Sequence, residues 1–553
     1  MTEPATAAPD EPSRSSRRLA VEAVVVGLLV IAGHLLFRLS REFLIGALND
    51  DAVYVVLGKA IAQGDGYRSI HLVGAPLQVR YPPALPLLLA VPWALVGTLG
   101  AVRATVAVLH PIVSGAAAGL VWWVGRDRLE LSPAPLALCA VAPFLLDPLI
   151  QYFNIPLTEP YLVLGWAGAL AIAPPLFAPA TLSDARPGRA VALGLVLAAT
   201  ALFRTAAVAL VPAVLLALAL HRRWKEAAAC AAAVLVPLGA WQGLQLYWSA
   251  RGPLSSQPDD LSYGRWLGVT GPVALSGYAV RTIAANVVVY VHRMAAYLFS
   301  SQPIGVVVVL AAVVAVAVAC VRLRWSQTAL VLTTLSVTAL TLMWPFTQGR
   351  LLLPLLPFLG LLAASTVDVA ARRAPPRWRW GVPLALGVAA LAVTLRQAEL
   401  REAASRSFRT GVLPPPEDLS PTLILAVQTR HIHLLAGWLR THTTPADRLM
   451  VDAPAGTYLY TGRRTVPGSP TESGLGPATF AVPGRYVAGR ILADSVTIVA
   501  LSPPAPGLEQ DIATIRARCP RVLEPEPAEA AVFFRVQRDD RCLREGFGEH
   551  DAS

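Results

Sequence analysis

The chain has 553 residues, of which 55% are hydrophobic and only 15% charged, a composition that excludes an ordinary soluble protein and fits an integral membrane protein. Its formal net charge is +11; the basic residues sit between apolar runs, where they orient membrane spans, so the charge does not argue for a nucleic-acid partner. Lysine occurs only at Lys59 and Lys225, and the abundance of Ala, Pro and Arg points to a GC-rich bacterial genome.

Residues 1–18 are polar and read as a disordered cytoplasmic tail closed by Arg14, Arg17 and Arg18. The run Leu19 to Leu39 is longer than a signal-peptide core and has no small-residue cleavage site behind it, so it predicts an uncleaved first helix. Further apolar segments follow at about 84–99, 103–124, 133–150, 160–178, 190–203, 205–220, 228–248, 303–321, 327–343, 350–370 and 380–396.

Arg-rich short connections occur at Arg126-Asp127-Arg128, Arg186 with Arg189, His221 to Lys225, Arg322 with Arg324, and Arg372 to Arg379. All lie in the cytoplasm with the N-terminus if Pro82 to Leu99 does not cross. Pro82, Pro83, Pro86 and Pro92 favour a re-entrant or surface-lying segment there. The expectation is a polytopic α-helical membrane protein of about eleven spans over residues 19–396, placed in the cell membrane. Segments 41–102, 249–302 and 397–553 then lie outside.

The first of these carries Leu48-Asn49-Asp50-Asp51-Ala52-Val53-Tyr54, Gly64-Asp65-Gly66-Tyr67 and Arg80-Tyr81-Pro82-Pro83. Adjacent carboxylates can be no more than a solvated helix start with Asn49 or Asp50 as cap. The following stretch, Ala52 to Gln63, has Val53, Val56, Leu57 and Ala60 on one face. Such a helix is expected to lie in the membrane interface and hold its carboxylates at headgroup depth. A base there could deprotonate a hydroxyl that attacks a phosphate-linked carbon.

Two adjacent acids, a Tyr at Tyr54, a Gly-x-Gly-Tyr turn and a Tyr-Pro-Pro at Tyr81 resemble the GT-C superfamily of membrane glycosyltransferases. Within it the pattern is most similar to the branch of protein O-mannosyltransferases and lipid A aminoarabinose transferases. The likeness covers about residues 20–396 in general layout. It implies a catalytic acid in the first external loop, matched by Asp50-Asp51, with Asp51 standing where many relatives have Glu. It also implies a sugar donor linked through phosphate to a polyprenol, an acceptor that is a lipid, a glycan or a protein, and a soluble external domain at the C-terminus. No cofactor or metal is demanded.

The stretch Phe153 to Pro160 contains Glu159, a carboxylate entering a span. That is expensive unless it faces a polar cavity. The resemblance puts an acid at this turn near the active site; the plain alternative is a helix cap ahead of a first-turn proline. Arg204 interrupts an apolar run, either at a tight external turn or on a polar cavity, and its fork suits a phosphate in both cases. Snorkelling alone would also explain it. Arg350 precedes the aliphatic Leu351-Leu352-Leu353-Pro354, as a similar Arg does in the family, where the donor phosphate is its implied partner. Lys59 could contact that phosphate or snorkel. Tyr54 and Tyr81 are the remaining candidates for substrate binding.

In the tail, Arg448 to Asp452, Ser495 to Leu501 and Ala531 to Val536 have strand character, while Ala455 to Tyr460 and Asp511 to Arg518 read as helices. Alternation of this kind predicts an external α/β domain over 397–553, behind a hinge at Pro414-Pro415-Pro416. Cys519 and Cys542 can pair if this tail is exported, while Cys139, Cys230 and Cys320 are apolar filler. His431, His433 and His442 have no carboxylate or Cys to complete a metal site, and Asp259-Asp260 reads as a solvated pair. P-loop, dinucleotide and HExxH motifs are absent from the sequence.

These readings converge on an inverting glycosyltransferase in which Asp50, with Asp51 or Glu159 beside it, acts as base and Arg350 meets the leaving phosphate. The rival is a transporter or flippase for a lipid-linked molecule, for which intramembrane charges and broken helices would also serve. It calls for related repeats in the two halves, and none is found.

Overall fold

The computed structural model describes residues 14–39, 45–46, 48, 50–176, 187–250, 272–299, 302–322, 327–344, 349–373, 375, 381–410, 421–468, 483–501, 506–526, 532–537 and 539–547. The N-terminal tail to residue 13, Asn49, Arg186, Asp259-Asp260, Arg324 and the Pro414-Pro416 run lie outside the described residues.

The chain is mostly helical up to residue 442 and closes in a small sheet. Among the described residues, five helices are long and apolar enough to cross a membrane, at 16–39, 99–128, 224–248, 302–322 and 353–373. Shorter apolar helices at Glu159–Ile172, Pro187–Phe203, Thr205–Leu220 and Thr328–Met343 fill in between them. The apolar stretch 133–150, expected as one span, is broken: Pro133–Leu145 and Asp147–Asn154 meet at 51°. Leu146 is extended (φ −69°, ψ 136°) between Pro143 and Pro148, and prolines that close remove the amide donors a continuous helix needs.

That break is held by polar contacts. The buried Asp147 carboxylate accepts from Arg401 Nε at 2.7 Å and from Gln151, and its own amide donates to Gln397 at 3.1 Å. Asn154 accepts from Arg38 Nε at 2.7 Å and bonds His34 at 3.0 Å. Buried charge is tolerated where such partners satisfy it. The first helix, Arg14–Leu39, crosses Leu99–Trp123 at close range: a Cβ on Gly115 would come within 2.6 Å of Gly27 O, and one on Gly119 within 2.8 Å of Ala23 O. Small residues at this Gly115-to-Gly119 spacing are what let two apolar helices approach backbone to backbone.

Pro82 to Leu99 contains a helix at Ala84–Val96, 13 residues long with Pro92 inside, or about 20 Å against a hydrocarbon core of about 30 Å. A 27-residue helix, Pro272–Leu298, follows the segment that ends at residue 271. Its Asn286 donates to the carbonyls of Leu342 and Trp344, both at 2.8 Å.

The helix that begins at Asp50 departs from expectation. Asp50–Ala62 is not an amphipathic helix on a membrane surface: nine of its residues are buried, on all sides. Val55, like Val53, Val56 and Leu57, is in the core, because the Ala84–Val96 helix covers one side and Ala455 and Tyr458 cover another. A helix apolar all round is a buried helix. Gly58 allows the first of these contacts, since a Cβ there would lie 3.0 Å from Pro86 O.

The C-terminal sheet has five strands, β1 (Leu449–Val451), β2 (Thr465–Pro467), β3 (Ile498–Leu501), β4 (Leu523–Glu526) and β5 (Val532–Val536), in the order β2-β1-β3-β5-β4. The β2-β1-β3 part is parallel, and β5 and β4 add antiparallel. Side chains alternate across it. Met450, Val499 and Phe534 face the helices at 485–494, 506–518 and 540–547, while Leu449, Val451 and Phe533 face Leu435, Trp438 and Leu439. Cys519 and Cys542 are disulfide-bonded, with Cα atoms 5.9 Å apart, and pin the last helix to the one at 506–518.

Candidate active site

The Asp50–Ala62 helix presents its first carboxylate to a cluster drawn from three distant parts of the chain. Tyr81 Oη donates to Asp50 Oδ1 at 2.7 Å, and Arg350 Nη2 pairs with Asp50 Oδ2. The Asp50 side chain remains 29% exposed and Arg350 15%, so the pair is shielded yet reachable. Burial raises the Asp50 carboxyl, but the Arg350 charge, the Tyr81 hydrogen bond and the charge of Arg80 outweigh it and hold it below the usual carboxylate range.

Tyr81 is fixed from behind. Tyr67 Oη donates to the carbonyls of Tyr81 and Pro82 at 2.9 and 3.1 Å. Trp241 meets the Tyr67 ring edge-on at 5.5 Å and Trp248 stacks on it at 5.8 Å. Gln245, from the same helix as those tryptophans, donates to the carbonyl of Val79. Tyr54 packs edge-to-face on Tyr81 at 5.2 Å, with the Thr158 side chain beside its hydroxyl.

Thr158 leads into a second acid–base pair. The fully buried Glu159 meets Arg204 Nη1 at 2.9 Å, and Arg204 also donates to Thr158 Oγ1 at 3.1 Å. Arg204 is extended (φ −144°) and divides the helix Pro187–Phe203 from the turn Thr205–Ala209, so it makes a chain break, and its guanidinium turns to the buried Glu159. Glu159 and Tyr152 lie close enough to Arg350 to act on its charge, which joins the two ion pairs into one polar region.

Two expected participants have other tasks. Asp51 is completely buried, and its oxygens accept the amides of Gly46 at 2.6 Å and Leu48 at 3.1 Å. It closes the turn that leads into the helix, which leaves Asp50 as the carboxylate in the cluster. Burial raises Asp51 to about 6, against the lowering effect of those amides and with a further push from the Asp50 charge. Lys59 Nζ sits 4.8 Å from the Tyr458 ring centroid and 5.4 Å from that of Trp93, with Tyr458 Oη 3.5 Å away. It therefore faces the C-terminal domain, in a cation–π contact.

Tyr67 stood within the Gly-x-Gly-Tyr motif, but Thr158, Trp241, Gln245 and Trp248 carried no local signal. Among the described residues, no group of three or more His, Cys, Asp or Glu is placed to hold a metal ion.

No protein-family model and no curated protein sequence matches the chain. Solved structures do. Apo ArnT from Cupriavidus metallidurans superimposes with a TM-score of 0.55 at 16% identity, covering 94% of this chain and 98% of its own. The same protein bound to undecaprenyl phosphate gives 0.52 at 15%, covering 96% and 99%. The oligosaccharyltransferase AglB from Archaeoglobus fulgidus, in complex with an inhibitory peptide and a dolichol-phosphate, gives 0.52 at 12%, covering 88% and 70%. At these identities the likeness is one of fold, and it extends through the C-terminal sheet as well as the helices. The chain has the fold that ArnT and AglB share.

Proposed function

We propose that the protein is an inverting glycosyltransferase that moves a sugar from a polyprenyl-phosphate-linked donor to a hydroxyl acceptor at the outer face of the membrane. The observation that carries this reading is the meeting of Asp50, Tyr81 and Arg350 at one partly exposed point. A carboxylate to take a proton and a guanidinium to hold a phosphate are the two groups a single displacement at a sugar–phosphate carbon requires. That the ArnT fold accepts undecaprenyl phosphate, and the AglB fold a dolichol-phosphate, supports a lipid-phosphate donor. The Arg-rich loops support the outer face.

With no substrate bound, Arg350 neutralises Asp50, and a carboxylate held in this way is a weak base. The donor phosphate competes for Arg350 and draws it off. Asp50 keeps its Tyr81 hydrogen bond, loses its counter-charge and becomes the stronger base. The acceptor hydroxyl then gives its proton to Asp50 as its oxygen bonds the anomeric carbon. The bond from that carbon to the phosphate oxygen breaks, and polyprenyl phosphate leaves with its charge met by Arg350. One displacement inverts the anomeric centre. Phosphate is a good leaving group, so the step uses no general acid. Glu159 is committed to Arg204, and that pair shapes the polar wall behind the reacting atoms.

The test is transfer by the full chain in proteoliposomes, with a panel of polyprenyl-phosphate sugars and mass-spectrometric detection of product. Asp50→Asn is expected to abolish turnover while leaving insertion and the melting temperature near normal. Near-normal turnover by that variant would overturn the assignment, and lipid movement without sugar transfer would favour a flippase.

A further inference from the structure

The C-terminal domain touches the chain segment that carries Asp50 at three places. Thr465 of edge strand β2 donates its amide to His71 O at 2.8 Å and accepts from Val73 N at 3.2 Å, so the 71–73 segment adds to the sheet as a short parallel strand. The Thr465 hydroxyl reaches the same His71 carbonyl at 3.2 Å. Secondly, Gly46 and Gly456 meet backbone to backbone. A Cβ on Gly46 would lie 3.0 Å from Gly456 Cα, and one on Gly456 would lie 3.3 Å from Gly46 Cα. Gly46 is also at φ 113°, a conformation open to glycine. Thirdly, Tyr458, in the same helix as Gly456 (Pro454–Thr461), receives Lys59 on its ring.

These contacts converge on the turn before Asp50. Gly46 is held on one side by Gly456 and donates its amide to Asp51, the neighbour of Asp50. The next partner along is Ile432, whose Cδ1 would be 3.5 Å from a Gly46 Cβ. We infer that the C-terminal domain is a positioning element for the catalytic loop, with Gly456 and Thr465 as the positioning residues that set where Asp50 points. Its consequence for turnover rests on the glycosyl-transfer reading above; its structural part does not.

Gly456 offers a substitution whose local and remote effects oppose each other. Ala and Leu are better helix formers than Gly, so either favours the Pro454–Thr461 helix itself. Both push on Gly46, Ala by a few tenths of an ångström and Leu by more. Thr465→Pro is the second variant. Both backbone groups of Thr465 face the 71–73 segment, so proline removes the bond to His71 and takes none from the β1–β2 ladder.

Hydrogen exchange on the full chain in nanodiscs reads the structural part. In Gly456→Leu, amides of residues 50–57 and 71–73 are expected to exchange about 10-fold faster, with those of 449–451 and 498–501 unchanged. Thr465→Pro should free the 71–73 segment, and Gly456→Ala should fall between wild type and Leu. In the transfer assay, Gly456→Leu is expected to lower kcat about 100-fold, as a misplaced base does, with donor KM within about 2-fold. Exchange of both segments at the wild-type rate in Gly456→Leu and Thr465→Pro would overturn the inference. If the wild-type chain transferred no sugar from any polyprenyl donor, the glycosyl-transfer reading would fail, and the exchange result would still decide this one.

Discussion

Arg350 and Asp50, 300 residues apart in the chain, form an ion pair at the start of the Asp50–Ala62 helix. Both groups are committed to each other before any substrate arrives. In the proposed reaction, a donor phosphate that takes Arg350 releases Asp50 to act as base as the electrophile comes into place.

Arg350→Gln separates the two roles of the guanidinium. Without it, Asp50 is expected to return toward or above the ordinary carboxylate range, because the opposing effect of burial remains. The acid limb of kcat/KM should move to higher pH, and kcat should fall about 100-fold or more with leaving-group stabilisation lost. A pH–rate profile checks both. An acid limb at its wild-type position would show that Asp50 does not set it.

Tyr81→Phe removes one hydroxyl from Asp50 and leaves the ring that packs on Tyr54. A hydrogen bond to a carboxylate contributes about 2 kcal/mol, so a loss of roughly 30-fold in kcat is expected, at near-normal donor KM. Gln245→Ala acts one step further back, through the Val79 carbonyl, and is expected to give a smaller loss of the same kind. Steady-state kinetics of the two variants test this order.

Much of this cluster was legible in the sequence because its members announce themselves locally. Asp50, Tyr81 and Arg350 each stand in a short motif, and Arg204 interrupts an apolar run. In the tail, the apolar runs at 448–452, 495–501 and 531–536 gave three strands, and Cys519 found Cys542. What stayed hidden depends on partners far along the chain. Val53 and Leu57 look like one face of an interfacial helix until Ala455 and Tyr458, some 400 residues later, cover the other. Strand β2 is three residues ending in proline, too short to carry a period. The Gly46–Gly456 contact leaves no trace in composition at all, since a glycine that makes room for another backbone reads like any glycine in a loop.

Asp51 governs a pH dependence of stability distinct from that of Asp50. Its folded carboxyl is raised to about 6 from an ordinary value near 3.8. The protonated form is thus favoured by folding, and this contribution is complete below about pH 4 and lost as pH rises through about 6. The difference of about 2 units corresponds to roughly 3 kcal/mol. Asp50 has the opposite sign: its lowered carboxyl contributes stability above the ordinary range that is lost as pH falls. Melting temperatures of wild type and Asp51→Asn between pH 4 and 7.5 separate them. The gap should change in favour of the variant as pH rises, and parallel curves would contradict the assignment.

Glu159 and Arg204 form the second pair, with the carboxylate completely buried. Taking one partner away leaves an uncompensated charge in a low-dielectric interior, which costs about 3 kcal/mol or more. Glu159→Gln should therefore destabilise the chain strongly, with Arg204 retaining its hydrogen bond to Thr158. Arg204→Met should be equally harmful, since it strands Glu159. The double variant, Glu159→Gln with Arg204→Met, removes both charges and is expected to recover most of the lost stability. Activity should recover less, because Arg350 has lost the neighbouring Glu159 charge and Thr158 has lost its Arg204 donor. Thermal melts in detergent give the stability arm and the transfer assay gives the other. Strictly additive losses in the melts would mean that the two side chains do not act as a pair.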